Sequence, residues 1–359
     1  MKIMISGLGG IGQRHLRNLR ALLGAGVEIR GVDLRRNIPV LTDQLQVEAG
    51  ITLEEKYDLH IYPDIEAALA WKPDAVFVCN PTSLHLPTAL RAAQAGCHVF
   101  IEKPLSNNLE RVEELIGLVE SRGLTAVVGY QMRFHPCLEH LHVLVQKVKV
   151  GRILSVRAEI GEYLPGWHSY EDYRQMYASR QDLGGGVILS QIHEMDYLYW
   201  LFGLPCSVYA LGGHLSSLEV DVEDTAEILM NYKMDGRSVP VSLHEDYLQR
   251  PPRRICEVNG DQGKILVNLA ALSVEVFDGN GKQVEAARYA GFQRNQMFLD
   301  ELNYFLSGLQ GTSFPSLPLE GGRVKASPLV SVREAANSLR MALAAKESLV
   351  TGKVVDLTR

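Results

Sequence analysis

The stretch KIMISGLGGIGQRHLRNLRALL, residues 2–23, passes through three kinds of chain in succession. KIMIS is a short apolar run of strand character, GLGGIG fits G-x-G-x-x-G, and QRHLRNLRALL spaces its leucines as an amphipathic helix does. Gly7 permits a tight turn, Gly9 lets a pyrophosphate reach the backbone, and Gly12 allows close packing of helix on strand. The N–H groups of Gly10 and Ile11 stand at the helix N-terminus, whose positive dipole end favours phosphate. Asp33 closes the next strand, VEIRGVD, 21 positions after Gly12, where a carboxylate accepts hydrogen bonds from both ribose hydroxyls. A glycine turn can be purely structural. With strand, helix and acid in place, the reading here is a dinucleotide site. Asp33 repels a 2′-phosphate and so argues for NAD. Arg35 and Arg36 leave NADP open, because a nearby guanidinium accommodates that phosphate, although both also read as solvated or adenine-stacking side chains.

Working outward, DAVFVC, HVFIE and TAVVG repeat the short apolar run, with amphipathic stretches such as LPTALRAAQAG and LERVEELIGLVESRG between them. This alternation predicts a parallel sheet covered by helices, an α/β Rossmann domain over residues 1–128. Beyond His135 the rhythm changes to period two. ILSVRAEIGEY sets Leu154, Val156, Ala158 and Ile160 against Ser155, Arg157 and Glu159, and TAEILMNY and SVPVSLHEDY alternate similarly. One long helix, VILSQIHEMDYLYWLF, precedes the later strands, and VREAANSLRMALAAKESL closes the chain, so residues 129–359 read as an α+β domain with an antiparallel sheet. Gly311 to Pro318 reads as a loop.

The length of 359 residues suits two domains. A net charge of −6 argues against nucleic acid and anionic membranes as partners. The five cysteines are odd in number, scattered and without a C-x-x-C pair, which suits reduced core thiols in a cytoplasmic protein. The N-terminus lacks a secretory apolar segment, and no uninterrupted run reaches the roughly 18 apolar residues of a membrane span. HEMD lacks the second histidine of H-E-x-x-H, and His135, Cys137, His140 and His142 have no recognised metal spacing, so no metal is expected.

GLGGIGQRH, NPTSLH at 80–85, EKP at 102–104, GYQMRFHP at 129–136 and GGGVILSQIHEMDYLYWLFG at 184–203 together resemble the glucose–fructose oxidoreductase/inositol dehydrogenase/rhizopine-catabolism (Gfo/Idh/MocA) family, over nearly the whole chain. The resemblance implies a Rossmann domain followed by an α+β domain with a large, mostly antiparallel open sheet. It further implies hydride transfer between a nicotinamide and a carbinol carbon of a sugar or cyclitol, and a homodimer or homotetramer built through the C-terminal sheet. Carried onto this chain, the family's catalytic lysine falls on Lys103, flanked by Glu102 and by Pro104, in a bond resembling one commonly cis. Asn80, Pro81 and His85 match the loop beneath the cofactor, His193 the general acid/base, and Asp196 the acid one helical turn later. Close relatives carry an aspartate at the position of Ser190, and a serine there cannot hold a compensating charge.

The residues themselves support this chemistry. Ligands of an open parallel sheet bind beyond the carboxyl ends of its strands, and Lys103 follows such an end. Its ammonium can stabilise a developing alkoxide, with burial and a cationic nicotinamide expected to lower its pKa below about 10.4. The alternative is a structural lysine paired with Glu102. His193, inside the helix opened by Gly184 to Gly186, suits proton transfer near neutrality, or else a hydrogen bond in the domain interface. Asp196 shares its helix face and can orient the imidazole or contact a neighbouring strand or loop, whereas Glu194 points elsewhere, toward solvent. Trp167, His168, Tyr173 and Arg174 offer rings and a cation to a polyhydroxylated, phosphorylated or nucleotide-linked sugar, with Arg133 and Ser190 as further substrate candidates; the same aromatics also read as a self-packed loop. The function expected is an NAD- or NADP-dependent sugar or cyclitol dehydrogenase or ketoreductase. The alternatives are a hydrolase or lyase that oxidises its sugar transiently, and a nucleotide-bound sensor without catalysis.

Overall fold

The computed structural model describes residues 1–35, 37–309, 318–319, 322–323 and 330–358. Arg36 and most of the Gly311–Pro318 segment lie outside the described residues. In chain order the main elements of the first half are β1 (Lys2–Ser6), α1 (Gly10–Leu23), β2 (Glu28–Val32), β3 (His60–Tyr62), β4 (Ala75–Val78), α2 (His85–Gln94), β5 (His98–Glu102), α3 (Val112–Arg122) and β6 (Ala126–Gly129). Their sheet runs 3-2-1-4-5-6 with every one of these pairs parallel. All four residues of β4 are buried, as befits a central strand covered on both faces, and Phe77 stacks on its β5 partner Phe100 at 4.9 Å. Strand β3 was not anticipated, because three residues are too short to show a period.

The second half continues with α4 (Pro136–Gln146), β7 (Ile153–Gly161), α5 (Val187–Ser190), α6 (His193–Phe202), β8 (Ser207–Gly213), β9 (Thr225–Met234), β10 (Arg237–Asp246), β11 (Arg253–Gly260), β12 (Gly263–Asn268), β13 (Ser273–Asp278), β14 (Gln283–Arg288), α7 (Asn295–Leu309), β15 (Val330–Ser331), α8 (Val332–Thr351) and β16 (Val355–Asp356). Nine strands form one sheet in the order 14-13-12-11-7-10-9-8-16, antiparallel except where β7 lies parallel to β10. The inner face carries Val156, Ala158, Ile160, Ala226, Ile228, Met230, Val239, Val241 and Leu243, all buried, with helices packed over it. Leu154, at the start of β7, is left half-exposed outside that row. Strand β15 crosses back to pair antiparallel with Val127 and Val128, so the second half supplies an edge to the first sheet.

The single long helix expected from Val187 onward is broken. At Gln191 the backbone turns to ψ 23°, and the Gln191 side-chain amide donates to the Asp246 carbonyl at 3.2 Å. The i to i−4 ladder stops there and resumes with Asp196 bonding to Ile192. His193 therefore opens α6 rather than lying within a continuous helix.

Candidate active site

Parallel register brings the functional loops to one edge. Ser6 is level with Val78, and Val78 with Ile101, so Gly7, Asn80 and Lys103 leave the sheet side by side. Gly7 has φ +94°, and a Cβ there would lie 2.6 Å from the Cys79–Asn80 backbone. A Cβ on Gly12 would lie 1.9 Å from the Gly7 carbonyl oxygen, so only glycine lets α1 approach the turn. Asp33 accepts the Leu8 N–H at 2.8 Å and a bidentate pair from Arg35 at 2.8 and 3.0 Å. Burial opposes its charge, but the bonds from Arg35 and Leu8 outweigh burial and hold the carboxyl below its ordinary value. These residues fit a dinucleotide: helix N–H groups for the phosphates and an ionised acid at the end of β2 for a ribose. His85 ties the neighbouring loops together, its ring lying 2.8 Å from the Asn80 carbonyl and 2.7 Å from that of Pro104. The Asn80 amide donates to Thr88 at 2.8 Å, and Glu102 meets the buried His15 at 2.6 Å.

Lys103 directly follows β5 and is joined to Pro104 by a cis peptide, and its Nζ donates to the Ser190 carbonyl at 2.7 Å. The helix break makes that carbonyl available. In an unbroken helix it would accept from Glu194 N, which bonds instead to Gln191 O. Thus the backbone of Ser190, not its side chain, anchors the ammonium. The Ser190 hydroxyl is buried close to the Tyr247 phenol without completing a hydrogen bond.

His193 stands close enough to Lys103 to feel its charge. Burial first, then Lys103, Arg254 and Arg294, push its pKa well below the ordinary histidine value, so the ring is neutral at physiological pH. Its position at the start of a helix acts in the same direction. Gln131 Nε2 lies 3.1 Å from His193 Nε2; an amide N–H only donates, so the ring nitrogen accepts there. His193 Nδ1 and Gln131 Oε1 are both buried without a protein partner among the described residues. Turning the Gln131 amide over would exchange donor for acceptor and switch the ring tautomer. Gln131 was passed over in the sequence, and its signal was its place within GYQMRFHP.

Other candidates lie elsewhere. Asp196 does not bond to His193; it accepts both arms of the Arg133 fork at 2.8 Å and the Ser338 hydroxyl at 3.1 Å. Both side chains are 1% exposed, which ties Arg133 to the core rather than to an open surface. Burial raises the Asp196 carboxyl and works against the Arg133 charge too, but the carboxylate more than restores the latter, and the guanidinium keeps its proton. Glu194, expected in solvent, is fully buried against Arg254 at 2.7 and 2.9 Å, because β11 passes beneath α6. Trp167 meets Tyr247 edge-on at 5.4 Å, and His168 stacks on Tyr170 at 5.1 Å. The Tyr173 hydroxyl accepts Glu219 N at 3.2 Å, while Arg174 pairs at the surface with Asp172 and Glu219. Pro81 starts the 3-10 turn Thr82–Leu84.

Glu245 extends the buried row Val239, Val241, Leu243 by one more period of two, and both its carboxyl oxygens lack partners among the described residues. Burial, with Glu194 and Glu223 nearby, raises its pKa well above the ordinary value. An acid raised by folding stabilises fully only below its unfolded value, near 4.3, and loses that contribution as pH rises toward the folded value. Glu245→Met is therefore expected to stabilise the fold by about 1–3 kcal/mol at neutral pH. That gain should grow from about pH 5 to about pH 8 in urea unfolding. A gain independent of pH would show that Glu245 does not titrate in this way.

Comparisons with known proteins agree with this geometry. Residues 1–130 match the oxidoreductase family with an NAD-binding Rossmann fold, and residues 138–266 match the GFO/IDH/MocA C-terminal domain. The myo-inositol 2-dehydrogenase of Thermotoga maritima is 27% identical over 369 residues, 99% of this chain and 98% of that protein. Among solved structures, the myo-inositol 2-dehydrogenase of Lactobacillus plantarum has a TM-score of 0.75 at 22% identity, covering 99% of both chains. The WlbA dehydrogenase of Bordetella pertussis, solved with NADH and UDP-GlcNAcA, also has a TM-score of 0.75, at 21% identity, covering 100% of this chain and 99% of that one. Among the described residues no helix is long and apolar enough to cross a membrane, and no cluster of three or more metal-ligating side chains occurs. The five cysteines are free, and all but Cys206 are buried.

Proposed function

As the chain belongs to the Gfo/Idh/MocA oxidoreductases, we propose that it moves a hydride between NAD and a secondary alcohol or ketone of a sugar, cyclitol or nucleotide- or phospho-sugar. The observation that carries this reading is Lys103 Nζ held 2.7 Å from the Ser190 carbonyl, three residues before His193 and on the same sheet edge as the glycine turn. Bound between Gly7–Gly12 and Asp33, NAD supplies the hydride acceptor or donor. One Lys103 N–H is committed to Ser190, which leaves two to polarise the reacting oxygen. Neutral His193 takes the hydroxyl proton during oxidation and returns it during reduction, with Gln131 following the tautomer. The ionised Asp33 supports NAD over NADP, and its Arg35 clasp must open for a ribose because both carboxyl oxygens are already engaged.

Asp196 serves by fixing α6 against Arg133. Leu211 and Leu229, 59% and 51% exposed on the outer face of the sheet, support self-association through that face. The buried thiols suit a reducing compartment such as the cytoplasm.

The test is a panel of cyclitols, free sugars, sugar phosphates and nucleotide sugars, with NADH and carbon products both quantified. One NADH per substrate oxidised is expected. Bond cleavage without net NADH would favour transient oxidation by a hydrolase or lyase.

A further inference from the structure

The glycine turn is covered by a residue contributed from far along the chain. A Cβ built on Gly10 would lie 2.9 Å from the Tyr170 hydroxyl, so the phenol fills the space that any other residue at position 10 would claim. Tyr170 comes from the segment after β7, yet its hydroxyl lies within reach of the Gly10 N–H and of the Arg35 charge, as well as of His168 Nδ1 at 3.4 Å and the Glu171 carboxylate, from which its proton must turn to meet a phosphate. The ring is braced by stacking on His168 at 5.1 Å and 20°, and His168 Nδ1 meets Glu171 at 2.6 Å. One residue earlier, Ser169 Oγ accepts the Gln46 amide of the first half at 3.4 Å. Glu171 in turn acts on Arg35, the partner of Asp33. The segment from His168 to Glu171 therefore touches the cofactor domain at its phosphate turn and beside its ribose acid.

Gly10 opens α1, where the pyrophosphate of a dinucleotide takes its backbone N–H donors. A phenol at this point is a neutral donor and adds no charge to the site. Burial raises the Tyr170 pKa, so the hydroxyl keeps its proton throughout the working pH range. Trp167, three residues earlier, packs on Tyr247 beside Ser190, so the same segment runs from the phosphate turn to the neighbourhood of the Lys103 anchor.

We infer that Tyr170 is a cofactor-positioning residue: its hydroxyl donates a hydrogen bond to the pyrophosphate of the bound dinucleotide, clasping the cofactor from the second half of the chain. This rests on the glycine turn being the dinucleotide site.

Calorimetric titration of the full-length protein with NAD, ADP-ribose and adenosine tests it, comparing wild type with Tyr170→Phe. Wild-type binding tests the site itself, and the variant-to-wild-type ratio tests the tyrosine. A hydrogen bond to a charged group predicts roughly tenfold weaker NAD and ADP-ribose binding in Y170F, with adenosine unchanged. Gly10→Ala, whose methyl displaces the hydroxyl, should weaken NAD in the wild-type background and add little in Y170F. Unchanged or tighter NAD binding by Y170F would overturn the inference, the latter because the hydroxyl would then be competing with the phosphate. An equal loss for adenosine would also overturn it, because the ring would be acting by packing alone. Thermal melts that match wild type separate these outcomes from misfolding.

Discussion

Lys103→Met is expected to lower kcat by about 100- to 1,000-fold, the range for removing one preorganised donor from a developing oxyanion. Methionine keeps most of the length and apolar stem of lysine but has no N–H to give to the substrate oxygen. The same change should move the NAD Kd by less than about threefold, because phosphate and ribose are held by the glycine turn and Asp33. Lys103→Arg should fail similarly: a planar fork cannot replace a compact ammonium with one donor on the Ser190 carbonyl and two free. Steady-state kinetics and cofactor titration on the same preparations decide the matter. Equal losses of turnover and cofactor affinity would assign Lys103 to the architecture of the site and not to its chemistry.

Asp196→Ala is expected to destabilise the protein by about 3–5 kcal/mol, since it leaves the Arg133 guanidinium buried and unpaired. Arg133 also lies over Trp200, with its centre 5.6 Å from the ring centroid, and Trp200 stacks on His142 at 4.1 Å, so the loss reaches well beyond the ion pair. Replacing both partners with apolar residues, as in Arg133→Met with Asp196→Leu, removes the orphaned charge and should recover most of the loss. Urea unfolding of the single and double variants measures this directly. Near-wild-type stability of D196A together with a displaced pH profile of turnover would return Asp196 to the proton relay that its i+3 spacing from His193 suggests.

That spacing shows where reading from sequence stops. Three residues apart on a helix means a shared face, and Asp196 has that relation to His193, but a face does not name its partner. Arg133 stands 63 positions upstream, and only the packing of α6 against the turn before α4 brings its fork to the carboxylate. Glu194 failed for the same reason: polarity suggested solvent, while Arg254 arrived from β11. The helix break at Gln191 was invisible because VILSQIHEMDYLYWLF is apolar at every helical period, and the Gln191 side chain meets its partner, the Asp246 carbonyl, only at the end of β10.

What the sequence determined alone is what adjacent residues enforce. The four glycines of GLGGIG, between an apolar strand and an amphipathic helix, admit few backbones, and the alternation of strands and helices implies a parallel sheet whose carboxyl edge carries Lys103. The tertiary structure decided which polar groups meet: Lys103 with the Ser190 carbonyl, Asp196 with Arg133, Gln131 with His193, Tyr170 with Gly10. Backbone conformation and apolar periodicity are local and so leave a trace in consecutive letters. A buried polar group takes whatever partner packing delivers to it, at any distance along the chain, and no local pattern encodes that choice.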